Sequence, residues 1–227
     1  MVMEWVIFFL TFGILFLGEL GDKTQLIVFN LTLEHEKPYK VGIGATLGFA
    51  VIVTIGVFFG LIITNFVPLL IIPIASGIIF IVIGVIEARG LKQLYKEHRN
   101  PNSNRLQPTN EVLDKEISES NLPKGLSKLR KNPYIAGFSF IFLMELGDKT
   151  QILTITLASV YPYPFEVWLG AFLALITLAW MGAFFGGAIA RKVPKFHLKL
   201  ASVIIFIFIG ILILITSFIP NISNFFL

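Results

Sequence analysis

From Val41 to Ile86 the chain contains no Asp, Glu, Lys or Arg, and the same holds from Val167 to Ala190 and from Leu200 to Leu227. A helix needs roughly 20 apolar residues to cross the hydrocarbon of a bilayer. Each of the last two runs fits one crossing, and the first fits two, with a break at Asn65 and Pro68. Only 14% of all residues are charged while 56% are hydrophobic, against about 25% charged in soluble domains. The expected fold class is therefore all-α integral membrane, with the lipid bilayer as its solvent. The N-terminal apolar stretch Trp5 to Gly18 has Glu4 in place of a basic flank and runs on into further charged residues. It reads as a retained helix rather than a signal peptide.

Those charged residues form a heptapeptide, Glu-Leu-Gly-Asp-Lys-Thr-Gln, at Glu19–Gln25 and again at Glu145–Gln151, 126 positions apart. The same shift, without a gap, lays Pro38 on Pro164, Gly44-Ala45 on Gly170-Ala171 and Phe58-Phe59-Gly60 on Phe184-Phe185-Gly186. It also lays Val67-Pro68 on Val193-Pro194, Ser76 on Ser202 and Ile83-Gly84 on Ile209-Gly210. Glycines, prolines and charges do not coincide so often by accident, and the chain is read as a duplication. Each unit predicts three transmembrane helices, at about 4–33, 41–64 and 68–90 and at about 134–159, 165–190 and 197–219. The domains are then a first three-helix repeat over 1–90, a linker over 91–132 and a second repeat over 133–227. The linker is polar, with a short amphipathic helix expected near Glu111–Ile117.

Three helices per unit start the second unit on the opposite side of the membrane, so the six transmembrane helices form two inverted three-helix repeats. The basic residues test this independently. Of 18 Lys and Arg, all but Lys23 and Lys149 fall in the loops on one side. Cytoplasmic loops carry the Lys/Arg excess, which predicts a cytoplasmic 91–132 linker and both termini outside. The formal net charge of +4 is thereby explained by topology, and no nucleic-acid partner is expected. The sequence leaves the oligomeric state open.

Glu19 stands about 22 Å along its helix at 1.5 Å per residue, near mid-membrane, and Glu145 is placed alike. At about 3 kcal/mol per charged side chain, the six acids and lysines of the two motifs cost on the order of 15–20 kcal/mol before pairing. They are tolerable only facing one another, water or an ion. On a regular helical wheel Asp22 lies within about 60° of Glu19, flanked by Gln25 and Lys23, while Thr24 points away. Gly21 weakens the helix, and a break there would free backbone carbonyls. Two such faces related by a pseudo-two-fold axis put Glu19, Asp22, Glu145 and Asp148 around one point. These four are the candidate metal ligands, with Lys23, Thr24, Gln25, Lys149, Thr150 and Gln151 lining the site.

The donors are hard oxygens. The chain has no cysteine, and His35, His98 and His197 lie in or near loops, which favours Ca²⁺, Mn²⁺ or Mg²⁺ over zinc or copper. Met144 could add a thioether, although a lipid- or core-facing methionine is the plainer reading. A simpler view makes Glu19–Lys23 and Glu145–Lys149 i,i+4 ion pairs that glue the bundle, but it leaves both aspartates unexplained. The stripes Gly44, Gly48, Gly56, Gly60 and Gly170, Ala174, Gly182, Gly186 read as close-packing surfaces.

The two Glu-x-Gly-Asp-Lys-Thr motifs, in helices one and four of a six-helix inverted repeat with a variable linker, resemble the Gdt-one family of manganese/calcium–proton antiporters. The resemblance covers about 4–90 and 134–219. It implies a secondary transporter that exchanges Mn²⁺ and/or Ca²⁺ for H⁺ and exports the metal from the cytosol, with no catalytic residues and no cofactor. The N-terminus is short for an organelle-targeting extension, so a cell membrane is expected. Two alternatives from other classes stand beside it. A cation channel shares the acidic pore. An intramembrane aspartyl protease would use two aspartates, but within Gly-x-Gly-Asp, where this chain has Glu19 and Glu145 at the first glycine.

Overall fold

In the computed structural model, residues 4–68, 70–99, 131–192 and 195–218 are described. Among these the fold is entirely helical: α1 Trp5–Glu19, α2 Lys23–His35, α3 Pro38–Phe66, α4 Ile71–Arg99, α5 Pro133–Glu145, α6 Lys149–Val160, α7 Pro164–Lys192 and α8 Lys195–Phe218. Among the described residues four stretches are long and apolar enough to cross a membrane: Pro38–Phe66, Ile71–Arg89, Pro164–Phe185 and Lys199–Phe218. The pair Trp5–Glu19 and Thr24–His35, bent by 69°, makes a fifth if taken as one broken span. Large apolar side chains turn outward, as Phe58 and Phe185 do at 60% and 62% exposure. This is the pattern of a chain solvated by lipid tails.

Two differences from the sequence reading matter. The expected single helices 4–33 and 134–159 are each split, α1 from α2 and α5 from α6. Gly21 at φ 81° and Gly147 at φ 83° cause both splits, because a left-handed residue cannot continue a right-handed helix. Second, α4 does not stop near 90 but continues to Arg99, into the segment read as linker. The helix expected near Glu111–Ile117 lies outside the described residues. Prolines punctuate the rest: Pro38, Pro133 and Pro164 open their helices, and α3 ends at Phe66 beside Pro68.

The packing crosses between the two units. α1 and α2 lie along α7, α5 and α6 lie along α3, and α4 lies along α8. The glycine stripes make these approaches possible. A Cβ on Gly44 would collide with the backbone oxygen of Tyr134 and reach Phe138 N at 2.9 Å. On Gly56 it would meet Thr154 Cγ2 at 2.9 Å, and on the equivalent Gly182 the oxygen of Gln25 at 2.8 Å. Each stripe therefore seats the broken helix of the other unit. Indole hydrogen bonds tie the two stripe helices together, Trp168 Nε1 donating to Thr54 Oγ1 at 3.0 Å and Trp180 Nε1 to Thr46 Oγ1 at 3.2 Å.

The Gly44 contact gives a stability prediction. Helix propensity alone favours Ala over Gly by roughly 0.5–1 kcal/mol, whereas overpacking against an unyielding backbone costs about 1–3 kcal/mol. Gly44→Ala is expected to lower the melting temperature in detergent. Gly13→Ala, whose Cβ meets nothing within 4 Å, is expected to hold or raise it. Equal behaviour of the two variants would contradict the close approach of α3 and α5.

Candidate cation site

Both helix breaks present the same local chemistry. After Glu19 the chain turns so that Asp22 N donates back to Glu19 O at 3.1 Å, and Asp148 N donates to Glu145 O at 3.2 Å. The turn amides are held by the glutamine of the same motif: Gly21 N donates to Gln25 Oε1 at 3.3 Å and Gly147 N to Gln151 Oε1 at 2.6 Å. Gln25 and Gln151 thus fix the two breaks. The neighbouring helix steadies the first, since Ser202 Oγ on α8 donates to Leu17 O at 2.7 Å.

Across the centre the motifs serve each other. Thr24 Oγ1 donates to Glu145 Oε1 at 2.6 Å, and Thr150 Oγ1 donates to Glu19 Oε1 at 2.8 Å. Lys149 also reaches over, placing Nζ 2.7 Å from Asp22 Oδ2 and 3.8 Å from Glu19 Oε1. It donates to Gly18 O at 3.2 Å as well. The i,i+4 arrangement expected of a structural pair is not what Lys149 adopts, for its ion pairs run to Glu19, Asp22 and Glu87. Lys23 opens α2, and its side chain lies outside the described ones.

The helical wheel misplaced Thr24. It assumed about 100° per residue through Gly21, but a positive φ there restarts the helical phase. Thr24 consequently faces the second motif instead of pointing away. The aspartates also separate in role: Asp22 pairs with Lys149, whereas Asp148 is exposed and its Oδ1 caps α6 by accepting from Lys149 N at 2.7 Å. Among the described residues no three carboxylate or imidazole groups gather closely enough to hold a metal ion. The two glutamates are what the fold brings together.

Glu19 and Glu145 line one small cavity with Thr24 and Gln25, walled by Phe49, Leu175, Leu178 and Ala179. Glu19 is 4% exposed and Glu145 1%. Glu145 Oε2 and Gln25 Nε2 are buried there without a hydrogen-bond partner. A buried carboxylate oxygen left unsatisfied costs about 1–3 kcal/mol or more, which a proton or a cation would relieve. The amide of Gln25, whose oxygen is taken by Gly21 N, offers a donor to an oxygen such as a cation's water.

One charged residue at this centre escaped the sequence reading. Glu87, near the middle of the long α4, accepts Lys149 Nζ at 3.1 Å through Oε1 and Lys199 Nζ at 3.1 Å through Oε2. The signal was present: it is the single acid between 68 and 90, and an acid inside an apolar span is functional by default.

The chain matches the family described as divalent cation/proton antiporter GDT1 over residues 7–93 and 133–220. It is 29% identical over 147 residues to the GDT1-like protein sll0615 of Synechocystis sp., covering 63% of this chain and 65% of that protein. It is 23% identical over 227 residues to the GDT1-like protein C186.05c of Schizosaccharomyces pombe, covering 88% of this chain and 86% of that one. The matched stretch thus spans just under two thirds of the Synechocystis relative's length. No solved structure matches the chain. Both motifs fall inside the matched segments, and residues 94–132 lie between those segments. With its long apolar helices and its two matched halves, the chain is a multi-pass membrane protein belonging to the GDT1 family of divalent cation/proton antiporters.

Proposed function

We propose that the protein is a secondary transporter that exchanges Mn²⁺ and/or Ca²⁺ for H⁺ across a cell membrane, exporting the metal from the cytosol. The observation that carries this reading is the pair of buried glutamates, one from each motif, in one cavity where Glu145 Oε2 has no partner. Carboxylates so placed take either a proton or a cation, and competition for one site couples the two fluxes. Glu19 and Glu145 form the core of the cation site. Asp22 joins when Lys149 withdraws, and Asp148 lies at the exposed entrance. Thr24, Thr150, Gln25 and Gln151 orient these groups, and Lys23 and Lys149 balance their charge.

The two units, 1–90 and 133–227, act as inverted three-helix repeats of six spans, joined by a cytoplasmic 91–132 linker with both termini outside. Support comes from the exchange of partners: a two-fold relation that sends α1 to α5 and α3 to α7 maps the α1–α7 pairing onto α5–α3 and α4–α8 onto itself. The basic-residue bias supplies the orientation. Alternating access then follows from rocking one unit against the other. The separate engagements of Asp22 and Asp148 favour transport over aspartyl-protease chemistry, which needs two aspartates sharing a proton.

Proteoliposomes test the reading directly. Mn²⁺ or Ca²⁺ uptake is expected to accelerate with an acidic lumen and to drive protons outward in return. Metal flux indifferent to the pH gradient and not saturating with concentration would replace the antiporter by a channel.

A further inference from the structure

The duplication is broken at one charged position. The shift that superposes the motifs lays Glu87 on Ile213, which is buried at 5% exposure. Glu87 therefore has no counterpart in the second unit, yet it sits against the centre. Its two oxygens take two ammonium groups, Lys149 and Lys199, each at 3.1 Å. The Glu87 side chain is 15% exposed and that of Lys149 17%, while Lys199 at 33% is the more open partner.

Lys149 Nζ is shared among three carboxylates. Asp22 and Glu19 of the first motif stand at 2.7 Å and 3.8 Å, and Glu87 of α4 at 3.1 Å. A cation entering beside Glu19 and Asp22 must displace that ammonium, since the two positive charges repel in a low-dielectric space. An ammonium withdrawn without a partner would itself be costly, because breaking a buried pair leaves an uncompensated charge.

We propose that Glu87 is the docking carboxylate for Lys149: when a divalent cation occupies the site, the lysine leaves Asp22 and Glu19 and stays paired on Glu87. Glu87 is thus a positioning residue that sets cation affinity through Lys149. The inference rests on the cation-site reading above and adds a one-sided device to a symmetric pair of motifs. Because Ile213 stands at the equivalent place, the first unit's acids have a lysine with a second partner on α4, and the second unit lacks the corresponding acid on α8.

The test is Mn²⁺ binding to purified full-length protein by calorimetry, in a double-mutant cycle. Glu87→Gln is expected to weaken binding about tenfold, the loss of one partly buried charge pair. In a Lys149→Met background the same change is expected to alter binding less than twofold, because no ammonium needs a dock. Equal losses in both backgrounds, or none in either, overturn the proposal. Lys199→Met separates the alternative that Glu87 merely clamps α4 to α8: a tenfold loss there too would assign the effect to the clamp and overturn the proposal. If Glu87→Gln does not yield a monodisperse protein, Glu87→Asp serves, with a two- to threefold loss expected and no loss overturning it. Wild-type protein that binds Mn²⁺ while Glu19→Gln does not, with Glu87→Gln unchanged, would sink this inference alone. Absence of Mn²⁺ and Ca²⁺ binding to the wild type would sink the cation site as well.

Discussion

Metal–proton exchange falls by about a hundredfold or more when Glu145 is replaced by Gln, and Glu19→Gln has the same effect. The expectation follows from where these groups stand. Glu145 is 1% exposed, one oxygen accepts from Thr24, and the other has no partner. A carboxamide keeps the size and can still accept the threonine hydrogen bond. It cannot carry a negative charge or release a proton, and a buried divalent cation cannot be held without charge compensation. Initial rates of Mn²⁺ and Ca²⁺ uptake in proteoliposomes measure the effect, with the melting temperature as a check that the fold persists. Thr24→Val acts on the same carboxylate from the other motif and is expected to cost about tenfold, the value of one buried hydrogen bond to a charged group. Exchange at wild-type rate in Glu145→Gln or Glu19→Gln would remove the assigned centre.

The second large effect has the opposite sign. Lys149→Met is expected to tighten Mn²⁺ binding by about tenfold or more while slowing exchange. The ammonium sits 2.7 Å from Asp22 and 3.8 Å from Glu19, in the place an incoming cation would take. Removing it abolishes a competitor and leaves acids in apolar surroundings without compensation. The variant should depend on metal for its stability. At a free metal concentration a hundred times the dissociation constant, binding stabilises a protein by about 2.7 kcal/mol. A thermal melt with and without Mn²⁺ should therefore show a larger metal-induced shift in Lys149→Met than in wild type. Slower exchange is expected because a tightly held ion leaves slowly and no lysine returns to expel it. Binding equal to or weaker than wild type would show that Lys149 supports the site instead of competing for it.

Much of this arrangement was legible in the sequence, and the failures have definite causes. Charge-free runs located the four long helices because a bilayer tolerates few charges. Gly21 reads from sequence as a weak point, and both motif glycines do break their helices at positive φ. The wheel across Gly21 then failed, since periodicity holds only within a continuous helix. Thr24 was put on the wrong side for that reason. Asp22 and Asp148, alike in sequence, take different parts because one meets Lys149 and the other caps α6. Such differences come from tertiary contacts that a repeat conceals. Glu87 stands outside the shared pattern, because the repeat has Ile213 at its equivalent position.

Duplication usually provides a spare copy. Here Thr24 completes Glu145, and Thr150 completes Glu19, so neither heptapeptide is a finished object. The hydrogen-bonded element is composite: a glutamate from one copy with a threonine from the other. Loss of either copy takes one partner from each pair, so the remaining copy completes neither. The chain carries its signature twice without being redundant in it.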